Sequence, residues 1–110
     1  MLFIGVEDFF SQVKAIPRLS REEEKALACR RADGDEQAAQ RLRESGLPLV
    51  SALIRRQPPS LQSLHTVYAC VRCAEVCADG FDFLQDSEAF THRLSLHLRQ
   101  CLVRCLAEQG

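Results

Sequence analysis

The sequence predicts an all-α fold, a compact bundle of four to six helices in a single domain, and three observations carry that expectation. Apolar residues recur at three- and four-residue steps through most of the chain, which is the period of a helix with one buried face. Helix starts and stops are written out locally: Ser20 with Glu23 three residues on, Gly34 followed by Asp35, and Pro17, Pro48, Pro58 and Pro59 at the seams between periodic segments. Finally, 46% of the 110 residues are apolar and no long low-complexity tract interrupts them, so one domain can bury a core without staples.

The first segment, 1–17, holds a short amphipathic helix. Val6, Phe9, Phe10, Val13 and Ile16 share one face over about 5–15, and Pro17 ends the run. Residues 19–56 form a helical hairpin. Ser20 and Glu23 make a capping box, Glu22 to Glu24 place negative charge at the positive end of the helix dipole, Gly34 stops the first helix and Asp35 caps the second. Gly46 and Pro48 then interrupt the pattern, and a kink or restart is expected at Pro48 because a proline inside a helix removes an N–H and clashes with the preceding turn.

The order of residues in this hairpin resembles that of bacterial RNA polymerase sigma factors of the housekeeping type. Ser20-Arg21-Glu22-Glu23-Glu24, Leu27-Ala28, Arg30, Gly34-Asp35, Ala38, Leu42, Leu47 and Leu49-Val50-Ser51 carry the likeness, which falls on the segment leading into region two of that family. The likeness begins at Val6, since a short helix with a Val, an aromatic-apolar pair and an Ile before a Pro precedes the acidic helix in the family too. It departs at Gly46 and Pro48, where the family reads Asn and Arg.

Gln57 to Ser60 reads as a turn, with Ser60 placed to cap a helix over 60–80 whose stripe is Leu64, Val67, Val71, Ala74 and Ala78 and whose terminator is Gly80. By position this resembles the sigma helix that docks on the clamp helices of the polymerase β′ subunit, and Phe81-Asp82 matches the pair that ends it. The resemblance implies a polymerase-binding face made by Tyr68, Arg72, Glu75, Asp79 and Asp82. The family's polar Gln-Glu-Gly-Asn docking stretch is replaced by Tyr68, Ala69, Cys70 and Val71, so weaker docking is expected.

Phe83 to Asp86 reads as a loop, and Asp86 or Ser87 as the cap of a last helix over 86–109. Its apolar face is expected from Phe90, Leu94, Leu98, Cys101, Cys105 and Leu106. The run from Leu98 to Gln109 is similar to the Ile-Arg-Gln-Ala-Ile-Thr-Arg-Ala-Ile-Ala-Asp-Gln run of sigma region two. Across the whole chain the expected core is Phe9, Phe10, Val13, Leu27, Leu42, Val50, Leu53, Val71, Phe90, Leu94, Leu98 and Leu102, with no strand. The regions that read the upstream promoter element in the family are not expected in this chain, because the likeness ends at Gln109.

Arg93, His97, Gln100 and Arg104 recur at steps of four, three and four and so align beside that apolar face. Arginine offers paired donors to phosphate or guanine and glutamine can pair with adenine, so the stripe has groups suited to duplex DNA. An ordinary solvated helix face accounts for it equally by chemistry alone, and Asp86, Glu88 and Glu108 dilute its field. The resemblance adds that Gln100 sits where the family's glutamine reads the upstream edge of the −10 element, with Arg99 beside it. It also marks what is missing. The Phe-Ser-Thr-Tyr-Ala-x-Trp-Trp pattern that stacks on opened bases is Phe90-Thr91-His92-Arg93-Leu94-Ser95-Leu96-His97 here, so the usual promoter melting is not expected.

Charge and cysteine usage bound the remaining classes. A formal net charge of −1 excludes bulk attraction to nucleic acid, so any DNA contact must be local. Met1 to Ile4 is too short and too closely followed by Glu7 and Asp8 for a signal peptide, and no span of membrane length exists, so a cytoplasmic protein with reduced thiols and no membrane partner is expected. Cys70, Cys73 and Cys77 share a helix face and Cys101 and Cys105 lie one turn apart, which raises a metal or redox sensor as a minor alternative; within amphipathic helices cysteine more often serves as a small apolar residue. No nucleophile, base and acid arrangement and no phosphate loop is visible, so neither an enzyme nor a cofactor is expected. The leading expectation is a sigma-like transcription initiation protein that binds core RNA polymerase and −10 promoter DNA. Its rival is a degenerate sigma fragment that regulates polymerase without opening DNA, with a second sigma subunit or an anti-sigma protein as further candidate partners.

Overall fold

Residues 3–85 and 88–109 are described by the computed structural model, and these residues form six α-helices and one 3₁₀ turn with no strand. The first helix, α1 (Val6–Lys14), carries Glu7 and Asp8 in its first turn and buries Phe9, Phe10 and Val13. Phe3, just ahead of this helix, is anchored as well. Phe3 is buried with its ring edge-on to Phe9 at 5.0 Å, and its backbone N–H donates to the Tyr68 hydroxyl at 2.9 Å.

The hairpin forms where its punctuation places it. α2 (Arg21–Ala32) starts on a complete capping box: Ser20 Oγ accepts from the Glu23 N–H at 3.1 Å while Glu23 Oε1 accepts from the Ser20 N–H at 3.0 Å. It ends in a Schellman turn, with the Gly34 N–H donating to the Arg31 carbonyl at 2.9 Å and the Asp35 N–H to the Arg30 carbonyl at 3.0 Å. Gly34 has φ 94°, a conformation that L side chains rarely adopt, so here glycine is required by the backbone. Asp35 Oδ1 then caps α3 (Glu36–Glu44) by accepting from the N–H groups of Gln37 and Ala38.

Both capping carboxylates titrate below their ordinary range, Glu23 because the Ser20 N–H and hydroxyl bond it, Asp35 because Arg30 and the Ala38 N–H do. A carboxyl depressed in the folded state contributes stability that is present above its unfolded pKa and is lost as pH falls through the folded one. The thermal midpoint should therefore decline as pH drops below the ordinary carboxylate value of about 4. Asp35→Asn should flatten part of that decline while holding the neutral-pH midpoint nearly unchanged, because Asn caps a helix well but does not titrate there. An unaltered pH profile in circular-dichroism melts would remove Asp35 from the account.

The restart expected at Pro48 occurs. α4 (Leu47–Arg55) begins after Gly46 with Pro48 in its first turn, where a missing N–H costs nothing. The next boundary falls elsewhere than expected. Pro59–Leu61 forms the 3₁₀ turn, and α5 (Leu64–Gly80) is capped by Ser63, whose Oγ accepts from the Thr66 N–H at 3.3 Å, not by Ser60. The reason is tertiary: Leu61 is buried beneath the turn, and the Ser60 carbonyl accepts from the side-chain amide of Gln109.

α6 (Phe90–Gln109) runs antiparallel to α5, with His65 Nε2 near the start of α5 lying 3.0 Å from Glu108 Oε2 at the end of α6. α4 packs on both helices of this pair, α1 packs on α4 and α5, and the α2–α3 hairpin joins α5 through α3. The expected caps Asp86 and Ser87 lie outside the described residues.

Several burial expectations are corrected. Leu27, Leu53 and Val71 are half-buried at the rim of the core, and Ala28, Ile54 and Cys70, each one residue away, are the inward positions. Leu106 is 53% exposed, since one residue past the buried Cys105 the helix has turned about 100° away from the core. Leu102 takes its place, giving α6 an inner face of Phe90, Leu94, Leu98, Cys101, Leu102 and Cys105. The segment read as a loop from Phe83 also has its first residue fully buried.

Candidate nucleic-acid and partner interface

Two depressions flank α5, and between them they collect most of the candidate site residues. On the α6 side, a groove of about 490 Å³ is floored by Ala69, Cys73, Val76, Cys77, Gly80 and Phe81 and rimmed by Arg72, Arg93, His97 and Arg104. On the α3 side, a smaller groove of about 250 Å³ is lined by Gln40, Arg43, Glu44, Leu47, Tyr68, Val71, Arg72 and Glu75. Arg72 stands on the ridge between the two.

Of the stripe expected on α6, Arg93, His97 and Arg104 line the first groove together, because residues spaced by four and seven lie on one side of a helix. Gln100 and Arg99 are exposed but lie outside the groove lining. The basic residues differ in how committed they are. Arg93 Nη2 and Nε donate to Glu88 Oε2 at 2.8 and 3.0 Å, and its guanidinium stands 5.9 Å from the Phe81 ring centroid. Arg72 and Arg104 have no ion-pair partner among the described residues and are exposed. The groove thus pairs one arginine from each helix, both available to an incoming anion, across an apolar floor.

The residues expected to dock polymerase are more internally engaged. The Tyr68 hydroxyl accepts from the Phe3 N–H, Asp79 Oδ1 accepts from Arg43 Nε at 2.8 Å, and Asp82 Oδ1 accepts from the N–H groups of Leu84 and Gln85 to shape the turn after α5. Arg72 and the half-buried Glu75 keep their charges toward the surface. Two arginines that sequence reasoning did not single out do much of the positioning. Arg31 of α2 donates to the Ala78 carbonyl at 2.8 Å and the Phe81 carbonyl at 3.1 Å, closing the end of α5. Arg43 of α3 bridges Glu36 and Asp79. Nothing in the local sequence distinguishes either from a surface arginine.

No family model matches the chain, and no solved structure matches it. No helix among the described residues is long and apolar enough to cross a membrane.

Five of the six cysteines gather where α5 meets α6. Cys70, Cys101 and Cys105 are buried, with Cys70 Sγ 3.9 Å from Cys101 Sγ, while Cys73 and Cys77 are half-buried in the groove floor; Cys29 is exposed on α2. Burial pushes the Cys70, Cys73, Cys77 and Cys105 thiols up, which keeps them protonated at neutral pH and makes them apolar packing groups first. Among the described residues no three His, Cys, Asp or Glu side chains are grouped to hold a metal ion.

Proposed function

We propose that this chain is a sigma-like transcription initiation protein that engages core RNA polymerase through the side of α5 that carries Tyr68, Arg72, Glu75 and Asp79, with Asp82 just past its end, and −10 promoter DNA through α6. The observation that carries the reading is the joint one of residue order and surface. The Val6 to Gln109 series resembles the family order, and Gln100 and Arg104, which fall at matching positions of its DNA-facing run, are solvent-exposed on α6 with His97 on the same stripe. Arginine and glutamine there supply phosphate and base-edge contacts without requiring net positive charge on the whole chain.

The rival reading, a regulator that binds polymerase or another sigma subunit without melting DNA, is favoured by one specific observation. Every phenylalanine is buried, the chain has no tryptophan, and the single tyrosine, Tyr68, is 38% exposed and bonded to Phe3. No aromatic face on α6 is free to stack on a flipped base.

Capture of core polymerase by the tagged chain tests the shared part of both readings. In the resulting complex, Arg104→Ala should weaken DNA binding across sequences and lower the salt slope by about one, since a lost phosphate contact releases no counterion. Gln100→Ala should relax preference at one base pair by about 1–3 kcal/mol if the contact is bidentate. Permanganate should find little thymine reactivity in the −10 region. Strong reactivity with this chain and core polymerase alone would overturn the no-melting account, and indifference of DNA binding to both substitutions would leave the regulator reading in place of the DNA-binding one.

A further inference from the structure

The antiparallel pair α5 and α6 has two sides, and the described residues fill only one. α4, whose sequence is almost wholly apolar, packs against both helices on the inner side. On the outer side the groove is walled by α5, α6 and Phe81, and among the described residues no other element lines it. It runs beside α5 from Ala69 to Gly80, about 16 Å at helical rise, or three turns. That is the dimension of a short helix lying along a two-helix groove.

The chemistry of the groove selects its occupant. Its floor is apolar and open, with Val76 57% exposed above Cys73 and Cys77. Its rim carries Arg72 on one wall and Arg104 on the other, both without an ion-pair partner among the described residues, whereas the Arg93 charge is matched by Glu88. A phosphate backbone would satisfy the arginines but leave the aliphatic floor against a charged strand, and the one aromatic in the lining, Phe81, is buried and cannot receive a base. A bilayer meets convex or flat surfaces and would not enter a channel between two helices. An amphipathic helix satisfies both parts, its apolar side on the floor and carboxylates on its flanks facing the arginines.

We infer that the outer α5–α6 groove is a docking site for an acidic amphipathic helix of a partner protein. The inference does not depend on the polymerase reading, because it uses only the groove. It adds a consequence to that reading: a helix seated there covers Arg104 and competes with duplex DNA for it.

The test uses the full chain and a synthetic peptide of about three turns, with leucines at three- and four-residue spacing and glutamates between them. The half-buried thiols in the floor report occupancy directly. The acidic peptide should bind saturably, more weakly as salt rises, and should slow alkylation of Cys73 and Cys77 by N-ethylmaleimide while exposed Cys29 reacts at its usual rate, as read by peptide mass mapping. The double substitution Arg72→Glu and Arg104→Glu should weaken binding by about tenfold or more, and Arg104→Gln should weaken it in the same direction. Both sites are exposed, so melting curves should match those of the unaltered chain. Equal binding of a peptide with lysine at every glutamate position would overturn the inference. So would binding that leaves Cys73 and Cys77 unprotected, or protection of those thiols by duplex DNA or anionic lipid vesicles when the peptide gives none.

Discussion

Phe83→Ala should cost about 3–5 kcal/mol in urea unfolding, although the residue lies outside every helix. It follows α5, and its side chain is fully buried. Its ring centroid lies 4.9 Å from that of Phe81 and 5.1 Å from that of Phe90, and the latter two are 5.3 Å apart, so the three rings form a closed cluster. Each ring pair adds about 0.5–1.5 kcal/mol beyond the area it buries. The Arg31 guanidinium sits 5.4 Å from the Phe83 ring centroid while it bonds the Ala78 and Phe81 carbonyls, which ties the cluster to the end of α5. Against a total stability of roughly 5–15 kcal/mol for a domain of ordinary size, such a loss brings the fold close to its limit. The adjacent Leu84, 42% exposed, supplies the control: Leu84→Ala should change stability by about 0.5 kcal/mol or less. A Phe83→Ala variant as stable as that control would mean the aromatic cluster does not exist. The functional consequence follows from position, since Phe81 lies in the groove floor and Arg93 stands over it.

Gly46→Val is expected to be nearly as damaging, and for the opposite reason, too much volume instead of too little. Gly46 is buried with φ −85°, so its backbone would accept any residue. Space is what it lacks. A Cβ there would lie 2.7 Å from Leu94 Cδ2, 3.4 Å from Ala74 Cβ and 3.5 Å from Phe90 Cε2. Leu94 is itself fully buried and cannot retreat into solvent, so the α3–α4 corner must move off α6. Gly46→Ala should cost about 1–3 kcal/mol, and Val, with two more methyl groups, more than Ala. Shortening the opposing side chain should recover part of it. In a double-mutant cycle Gly46→Ala with Leu94→Val should be less destabilised than the sum of the two single changes, with a coupling of about 0.5 kcal/mol or more. Strict additivity would show that the two residues do not meet.

Those two predictions mark where local and tertiary information part. The all-helical class, both caps of the α2–α3 hairpin, the left-handed Gly34 and the restart at Pro48 were legible because each depends on residues within one or two turns. A serine hydroxyl reaches the N–H three residues on wherever the helix is placed, and a proline lacks its N–H in any fold. The alignment of Arg93, His97 and Arg104 was legible for the same reason, being a property of helical period alone. Tertiary packing decided the rest. Ser63 caps α5 because the burial of Leu61 holds the preceding turn, Phe83 is core because α6 returns Phe90 beside it, and Gly46 is glycine because Leu94, 48 positions later, occupies the space of its side chain. Likewise the pairing of Arg72 with Arg104 across a groove exists only once α5 and α6 lie antiparallel. Short-range hydrogen bonds and backbone sterics are written residue by residue, whereas excluded volume and charge juxtaposition depend on distances that the chain sets only when its helices have packed.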